Sequence, residues 1–225
     1  MEWLSSHARV VPLAEIAAAL QEKKPLPERA VVLTFDDGFA DFHTEAAPVL
    51  LQKGLPATVF LPTSYCGRTN SWPGQPKWVD LQPLMSWQQI RELAEQGINF
   101  GSHTVSHTNL TEAEAEVAER EIAESRKEIE SRTGRAADYF CYPYGRWNAL
   151  VRGIVSRHYQ GACTTGAGLV EADADPFALP RVDAHYVRRS AVFASLFMRR
   201  FRSYITLRRW IRRIRGQPEG VYARG

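Results

Sequence analysis

The chain has 225 residues, 44% of them hydrophobic and 11% aromatic, which supports a sizeable core and excludes a chain that is disordered throughout. Its 15 glycines and 3 cysteines exclude a collagen-like protein and a disulfide scaffold. The net charge of +3 hides an asymmetry, because residues 184–225 hold 11 arginines and one acid while residues 1–183 hold 17 bases and 24 acids. A body of charge −7 therefore carries a segment of charge +10, which indicates an anionic partner surface or a solvated helix face.

The sequence also bears on the compartment. A run of about 18 apolar residues is absent, so no membrane span is expected. The N-terminus lacks the basic and apolar regions of a signal peptide, and the three widely spaced cysteines fit a reducing environment. We therefore expect a cytoplasmic protein.

Short apolar runs alternate with helical patterns along the chain. Strands are predicted at Arg9–Val11, Ala30–Phe35, Ala57–Leu61, Ile98–Ser102, Tyr139–Tyr142, Gly161–Thr165 and Leu179–Val182. Helices are predicted at Leu13–Gln21, Glu45–Lys53, Ser86 to Gly97, Thr111–Thr133 and Arg146–His158, with capping boxes at Ser86/Gln89 and Thr111/Glu114. This alternation predicts an α/β fold with parallel strands, either a barrel or an open doubly wound sheet, with its site at the C-terminal strand ends.

The first polar strand end carries two adjacent acids. Asp36 and Asp37 follow the strand that ends at Phe35, and burying carboxylates is costly unless they bind a partner. Neighbouring residues point to opposite sides of a strand, so one aspartate can bind a cation while the other faces a substrate. A solvated turn is the alternative interpretation.

The second polar strand end carries two histidines four residues apart, His103 and His107. With one aspartate they make a three-ligand set with open positions, the catalytic arrangement for zinc or a similar divalent ion. Such an ion lowers the pKa of a bound water to about 7, and the second aspartate can serve as the general base.

Two further segments are candidates for substrate contact. The strand end Phe140–Gly145 bends at Pro143, which makes the backbone N–H of Tyr144 a candidate oxyanion donor, with Tyr142 beside it. An ordinary strand-to-helix turn is the alternative interpretation of this segment. The long loop 62–85 carries Trp72 and Trp78, which either contact substrate or cover the rim of the sheet.

These segments resemble the motifs of polysaccharide deacetylases with a NodB-type homology domain, carbohydrate esterase family 4. The resemblance lies in 34–38 (Thr-Phe-Asp-Asp-Gly), 103–107 (His-Thr-Val-Ser-His) and 140–145 (Phe-Cys-Tyr-Pro-Tyr-Gly). It implies a distorted (β/α) barrel of about six to seven parallel strands and hydrolysis of N-acetyl, or less often O-acetyl, groups of amino-sugar polymers. It also implies that Asp37, His103 and His107 hold the metal, that Asp36 is the general base, and that the Tyr144 N–H stabilises the oxyanion.

The chain departs from this family at two positions. Cys141 stands where the family often has an arginine that steadies the catalytic aspartate, and we expect Arg181 to supply that cation from a later strand. The histidine that serves the family as general acid has no clean match, and His185 is the nearest candidate, although an exposed histidine beyond the barrel is the alternative.

The basic segment predicts an amphipathic helix from Ser195 to Ile214. Aromatic and aliphatic residues recur at helical spacing and arginines fill the rest, as in helices that lie at a membrane surface. The alternative is a closing helix that packs on the barrel with its arginines in solvent. Nucleic acid is not an expected partner, because no recognised binding module accompanies the charge.

The sequence therefore predicts a zinc-dependent glycan deacetylase, with cobalt, nickel or iron as alternative metals. Residues 1–29 form a strand-helix lead-in, 30–187 a NodB-type barrel and 188–225 the basic segment. The expected substrate is an acetylated amino-sugar polymer or lipid-linked glycan, met in the cytoplasm or on the inner membrane face through peripheral contact of 195–215. A carbohydrate-binding pseudoenzyme and a two-histidine-one-carboxylate iron oxygenase are the alternatives.

Overall fold

The computed structural model describes residues 1–76 and 78–214, with side chains as far as residue 211. The strands are β1 (Arg9–Val10), β2 (Ala30–Val31), β3 (Leu33–Phe35), β4 (Ala57–Leu61), β5 (Asn99–Ser102), β6 (Tyr139–Cys141), β7 (Gly161–Ala167) and β8 (Leu179–Arg181). The helices are α1 (Glu2–His7), α2 (Leu13–Gln21), α3 (Ala47–Gln52), α4 (Trp87–Glu95), α5 (Ala115–Thr133), α6 (Ala149–His158), α7 (Ala184–Val187), α8 (Ser190–Phe193) and α9 (Arg199–Ile214). A π-helical turn at Phe42–Ala46 precedes α3, and 3-10 turns lie at Thr63–Tyr65, Leu110–Glu112 and Pro143–Gly145.

Six strands, β3 to β8, pair in sequence order and in parallel to form a curled half-barrel surrounded by helices. Strand β4 is buried along its whole length, which explains why its sequence is apolar apart from Thr58. Because every strand of this sheet runs the same way, the C-terminal ends of β3, β5 and β6 lie on one edge. The predicted distorted barrel of about six to seven parallel strands is confirmed.

The predicted strand Ala30–Phe35 is two strands in the structure. Its first part, β2, pairs with β1 in a separate two-stranded parallel sheet, and its second part, β3, pairs with β4. The chain changes neighbours at Val32, so one apolar run serves two sheets.

Two predicted helix starts have different outcomes. The capping box of Ser86 and Gln89 is confirmed, with both reciprocal hydrogen bonds present at the start of α4. The prediction of a capping box at Thr111 and Glu114 is wrong, because the side chain of Asn109 accepts a hydrogen bond from the N–H of Thr111 and starts a 3-10 turn there. Helix α5 begins only at Ala115, after that turn ends.

Helix α9 packs one face against the body and leaves the opposite face exposed. Phe201 and Ile205 are buried, whereas the side chains of Leu207 and Trp210 are 54% and 60% exposed. The buried face fits a closing helix that packs on the barrel. The exposed apolar residues fit a helix that lies at a membrane surface. Of the predicted basic residues, Arg215 and the side chains of Arg212 and Arg213 lie outside the described residues. Within the described part of the chain, no helix combines the length and apolar character needed to cross a membrane.

Candidate metal centre

Three potential metal ligands converge at the C-terminal edge of the sheet. Asp37 follows β3, and His103 and His107 follow β5; all three side chains are buried. The Nε2 atoms of His103 and His107 lie 3.5 and 3.3 Å from the same oxygen, Oδ1 of Asp37. The local fold thus brings two distant motifs to one point.

The geometry of these atoms fits a bound cation. Two ligand atoms about 2.0–2.1 Å from a tetrahedral zinc ion are about 3.3–3.4 Å apart, close to the nitrogen–oxygen distances found here. The Oδ1 atom of Asp37 is buried and has no hydrogen-bond partner among the described residues. A buried carboxylate oxygen without a partner is costly, and a cation between the three side chains would satisfy it.

The protonation of His103 also suits a metal ligand. Its Nδ1–H donates to the carbonyl oxygen of Cys141 at 2.7 Å, which leaves Nε2 without a proton and directed at Asp37. Burial and the neighbouring His107 lower the pKa of His103, and the nearby Asp36 and Asp37 only partly oppose this. The neutral imidazole is the form that binds a metal ion.

The three motifs adopt an unusual backbone. Among the described residues, four of the six non-glycine residues in the left-handed region belong to the motifs: Asp37, Thr104, His107 and Tyr144, with φ of 68°, 68°, 57° and 59°. Such conformations are uncommon for residues with a Cβ and concentrate where function fixes the chain direction. Gly145 follows with φ of 67°, and a Cβ there would lie 1.9 Å from the hydroxyl of Thr165.

Asp36 faces Arg181 from β8. The guanidinium donates to both carboxylate oxygens, at 2.7 and 2.6 Å, and also to the hydroxyl of Thr34 at 3.1 Å. Burial alone would raise the pKa of Asp36, but the charge and hydrogen bonds of Arg181 outweigh it and hold the pKa well below its usual range. Arg181 therefore places a cation against Asp36, as expected for a replacement of the arginine that is missing at position 141.

Cys141 contributes to the same cluster through two different atoms. Its carbonyl accepts from His103, and its Sγ accepts from Arg181 at 3.1 Å. Burial raises the pKa of this thiol well above its ordinary value, so it stays protonated. Cys141 thus links the catalytic candidate Asp36, through Arg181, to the metal-ligand candidate His103.

Aromatic side chains enclose His107 on two sides. Trp72, from the loop 62–85, stacks on the imidazole with ring centroids 4.2 Å apart, and Tyr144 meets it edge-on at 4.7 Å. The indole Nε1 of Trp72 is buried without a partner among the described residues. These ring contacts on two sides limit the rotation of the His107 imidazole.

Four other predicted site residues lie elsewhere. Tyr142 and Pro143 are buried, and the hydroxyl of Tyr142 donates to the carbonyl of Phe177 in the core. Trp78 is 51% exposed in the loop 62–85. His185 is exposed on α7, where it lines a surface cleft with residues of α9.

Glu121 on α5 supports the centre, and sequence reasoning missed it. Its carboxylate accepts from the N–H groups of Val105 and Ser106 at 2.9 and 2.8 Å and from the hydroxyl of Ser106 at 2.7 Å. These are the residues between the two histidines. Its position on α5 carried a signal. Residues three or four apart share one face of a helix, and Glu121 lies three residues after Ala118 and four before Ser125, which are both buried. A charged residue on the face that packs against the body indicates a specific partner.

The chain is similar in sequence to known polysaccharide deacetylases. A family model described as polysaccharide deacetylase matches residues 23–160. YxkH of Bacillus subtilis is 29% identical over 185 residues, covering 81% of this chain and 61% of the relative. The poly-beta-1,6-N-acetyl-D-glucosamine N-deacetylase of Staphylococcus epidermidis is 28% identical over 193 residues, covering 81% and 64%.

Solved structures extend the likeness to the fold. The deacetylase PplD of Streptococcus pyogenes superimposes with a TM-score of 0.69 at 24% identity, over 80% of this chain and 76% of that one. The chain spans about three fifths of the length of the two sequence relatives named above.

Proposed function

The chain belongs to the polysaccharide deacetylase family, and we propose that it is a metal-dependent hydrolase that removes N-acetyl, or O-acetyl, groups from an amino-sugar polymer. The observation that carries the proposal is the convergence of Asp37, His103 and His107 beside the paired Asp36 and Arg181. The name of the Staphylococcus epidermidis relative supports a polymer of N-acetylglucosamine as the substrate class. A lipid-linked glycan is the alternative form of such a substrate.

The proposed metal is zinc, with cobalt, nickel and iron as alternatives, because one carboxylate and two imidazoles suit all four ions. When bound, a divalent ion would polarise the acetyl carbonyl and acidify a water molecule. Asp37, His103 and His107 would hold it, and the Nδ1–H···O bond from His103 to Cys141 would keep the first imidazole in its binding tautomer.

Asp36 is the proposed general base. Arg181 keeps it ionised at neutral pH, and each carboxylate oxygen still has a lone pair free to accept a proton from the attacking water. A carboxylate with a low pKa is a weak base, so proton transfer to it requires that the water is already acidified. This dependence ties the role of Asp36 to the neighbouring metal ligands.

The remaining roles concern the acetyl group and the leaving amine. The backbone N–H of Tyr144 is the proposed donor to the oxyanion, and Trp72 is the proposed wall against which the acetyl group packs. Because His185 lies in a surface cleft with arginines, we propose that Asp36 returns its proton to the leaving amine, with His185 as the alternative donor.

Acetate release tests the proposal directly. The full chain is stripped of metal, reloaded with zinc, cobalt or nickel, and incubated with acetylated oligosaccharides that include N-acetylglucosamine oligomers. We expect metal-dependent acetate release that Asp36→Asn abolishes while zinc stays bound. Glycan binding without acetate would support the pseudoenzyme, and oxygen-dependent product formation would support the iron oxygenase.

We further propose a cytoplasmic protein that makes peripheral contact with the inner membrane face through residues 195–215. The exposed side chains of Leu207 and Trp210, three residues apart on α9, support this, since arginines surround them. Leu207→Ser with Trp210→Ser should reduce sedimentation with anionic vesicles, whereas Trp147→Ser, on an exposed tryptophan of the body, should not. These substitutions avoid Phe201 and Ile205, which pack in the interior.

A further inference from the structure

A surface cleft of about 230 Å³ lies between α7, α8 and α9, in the C-terminal segment rather than at the metal centre. Its lining consists of basic and aromatic residues with one valine: His185, Tyr186, Arg188, Arg189, Val192, Tyr204 and Arg208. We call it the arginine cleft. It holds far more than one water, which needs about 10–15 Å³.

The lining is positively charged and carries no carboxylate. Elsewhere in the same segment, Arg202 pairs with Glu171 at 2.6 Å. Among the described residues, Arg188 and Arg189 form no ion pair. Arg188, Arg189 and Arg208 all line the cleft, so an anion bound in it would be attracted by their positive charges.

One of the three arginines is already fixed in place. The guanidinium of Arg208 lies over the rings of Tyr186 and Tyr204, 5.1 and 5.5 Å from their centroids, and its Nε donates to the Tyr204 hydroxyl at 3.2 Å. That hydroxyl in turn lies 3.3 Å from the Tyr186 carbonyl and donates to it. A pre-oriented guanidinium loses less entropy when it binds an anion.

We propose that the arginine cleft binds the phosphate group of a phosphate monoester or diester. Guanidinium groups match phosphate oxygens with paired, charge-assisted hydrogen bonds, and three of them can contact the several oxygens of one phosphate group. The cleft is smaller than the about 300–1,000 Å³ of ordinary small-molecule sites, which fits a head group better than a sugar chain.

This phosphate site goes beyond the proposed hydrolysis, and it has two sources of ligand. One is the head group of an anionic lipid, which the nearby exposed Leu207 and Trp210 favour. The other is a phosphate carried by a soluble molecule. Both require the same contacts with Arg188, Arg189 and Arg208, and experiments with matched ligands separate them.

The first experiment titrates the full chain with inorganic pyrophosphate and, separately, with nitrate at low ionic strength in a calorimeter. We expect saturable binding of pyrophosphate and none of nitrate. The double variant Arg188→Gln/Arg189→Gln should weaken pyrophosphate binding by about tenfold or more. Its control is Arg199→Gln/Arg200→Gln, which removes the same charge from exposed positions outside the cleft and should change binding less than about twofold.

The second experiment measures sedimentation with vesicles of phosphatidylglycerol and with vesicles of phosphatidylcholine. If Arg188→Gln/Arg189→Gln loses more binding to phosphatidylglycerol vesicles than Arg199→Gln/Arg200→Gln does, the ligand is a lipid head group. If Arg188→Gln/Arg189→Gln weakens only the binding of pyrophosphate, the ligand is a soluble phosphate. The proposal is overturned if neither ligand binds, if nitrate binds as well as pyrophosphate, or if both double variants lose binding equally. Acetate release from a soluble oligosaccharide should be unchanged in both, so failure of this site is separate from failure of the proposed hydrolysis.

Discussion

At the candidate metal centre, Asp36 and Arg181 are enclosed and pair with each other, whereas the arginines of the C-terminal segment lie mostly at the surface. Asp36 and Arg181 are only 28% and 18% exposed and form two short hydrogen bonds. In α9, Arg199, Arg200 and Arg209 are exposed and form no ion pair among the described residues. A charge change of the same size should therefore have a large local effect in the first region and a small, salt-dependent one in the second.

The largest effect is expected when a metal ligand is removed. His103→Ala should weaken zinc binding by more than about 100-fold, because loss of a ligand exceeds the 10–100-fold loss known for outer partners, and acetate release should fall to background. Metal content and activity are measured on the same preparation. His43→Ala, which removes a histidine that faces Glu92 away from the centre, is the control. Retention of stoichiometric zinc in His103→Ala would contradict the ligand assignment.

Asp36→Asn should separate chemistry from metal binding. The amide keeps the shape of the side chain but cannot accept a proton as a base, so turnover should fall by about 10²–10⁴-fold while zinc content stays unchanged. An active Asp36→Asn protein would remove Asp36 from the mechanism.

Arg181→Gln compares the two regions directly, with Arg200→Gln as its charge-matched partner in the C-terminal segment. Without the guanidinium, burial dominates and the pKa of Asp36 rises above its ordinary value, so the acidic limb of the pH–activity profile should move to higher pH. Turnover near pH 5 should then fall more than turnover near pH 8. Arg200→Gln should leave the profile in place; an equal shift in both variants would show that net charge, rather than the contact with Asp36, sets the profile.

The regular elements of the body could be predicted from the sequence because their signals are local. Apolar runs marked the strands, and Ser86 with Gln89 marked the start of α4. Helix α1 was not predicted, since six residues hold too little local helix signal, and its Trp3 packs against Phe193 and Phe197 from the far end of the chain.

The site also contains some features that the sequence could predict and others that it could not. The metal-ligand motifs are short segments whose spacing is visible in the sequence, and the structure brings them together at the sheet edge. The contact between Arg181 and Asp36 joins positions 145 residues apart, so a sequence can suggest its chemistry without fixing its geometry. The sequence of loop 62–85 does not indicate which of its two tryptophans lies at the site. Only the structure shows that Trp72, rather than Trp78, stacks on His107.

The smallest effect is expected from a change at Glu121, which tests how residues 104–106 between the two histidines are held in place. Glu121→Ala would leave the N–H groups of Val105 and Ser106 without their acceptor, so the loop between the two histidines should become less ordered and zinc affinity should fall by about 10–100-fold. Zinc affinity is measured by chelator competition, and the absorption spectrum of the cobalt-loaded protein reports ligand geometry.

Two variants make this result specific to the carboxylate. Glu124→Ala, on an exposed position of α5 one turn away, should leave zinc affinity unchanged. Glu121→Gln retains a carbonyl oxygen that can accept the two N–H groups, so it should recover part of the lost affinity. If Glu121→Ala lowers thermal stability without changing zinc affinity or the cobalt spectrum, Glu121 serves only the packing of α5. If affinity and spectrum change while the metal-free protein stays folded, the half-buried carboxylate of Glu121 is what holds residues 104–106 in their binding geometry, a role that none of the exposed charges of the C-terminal segment can share.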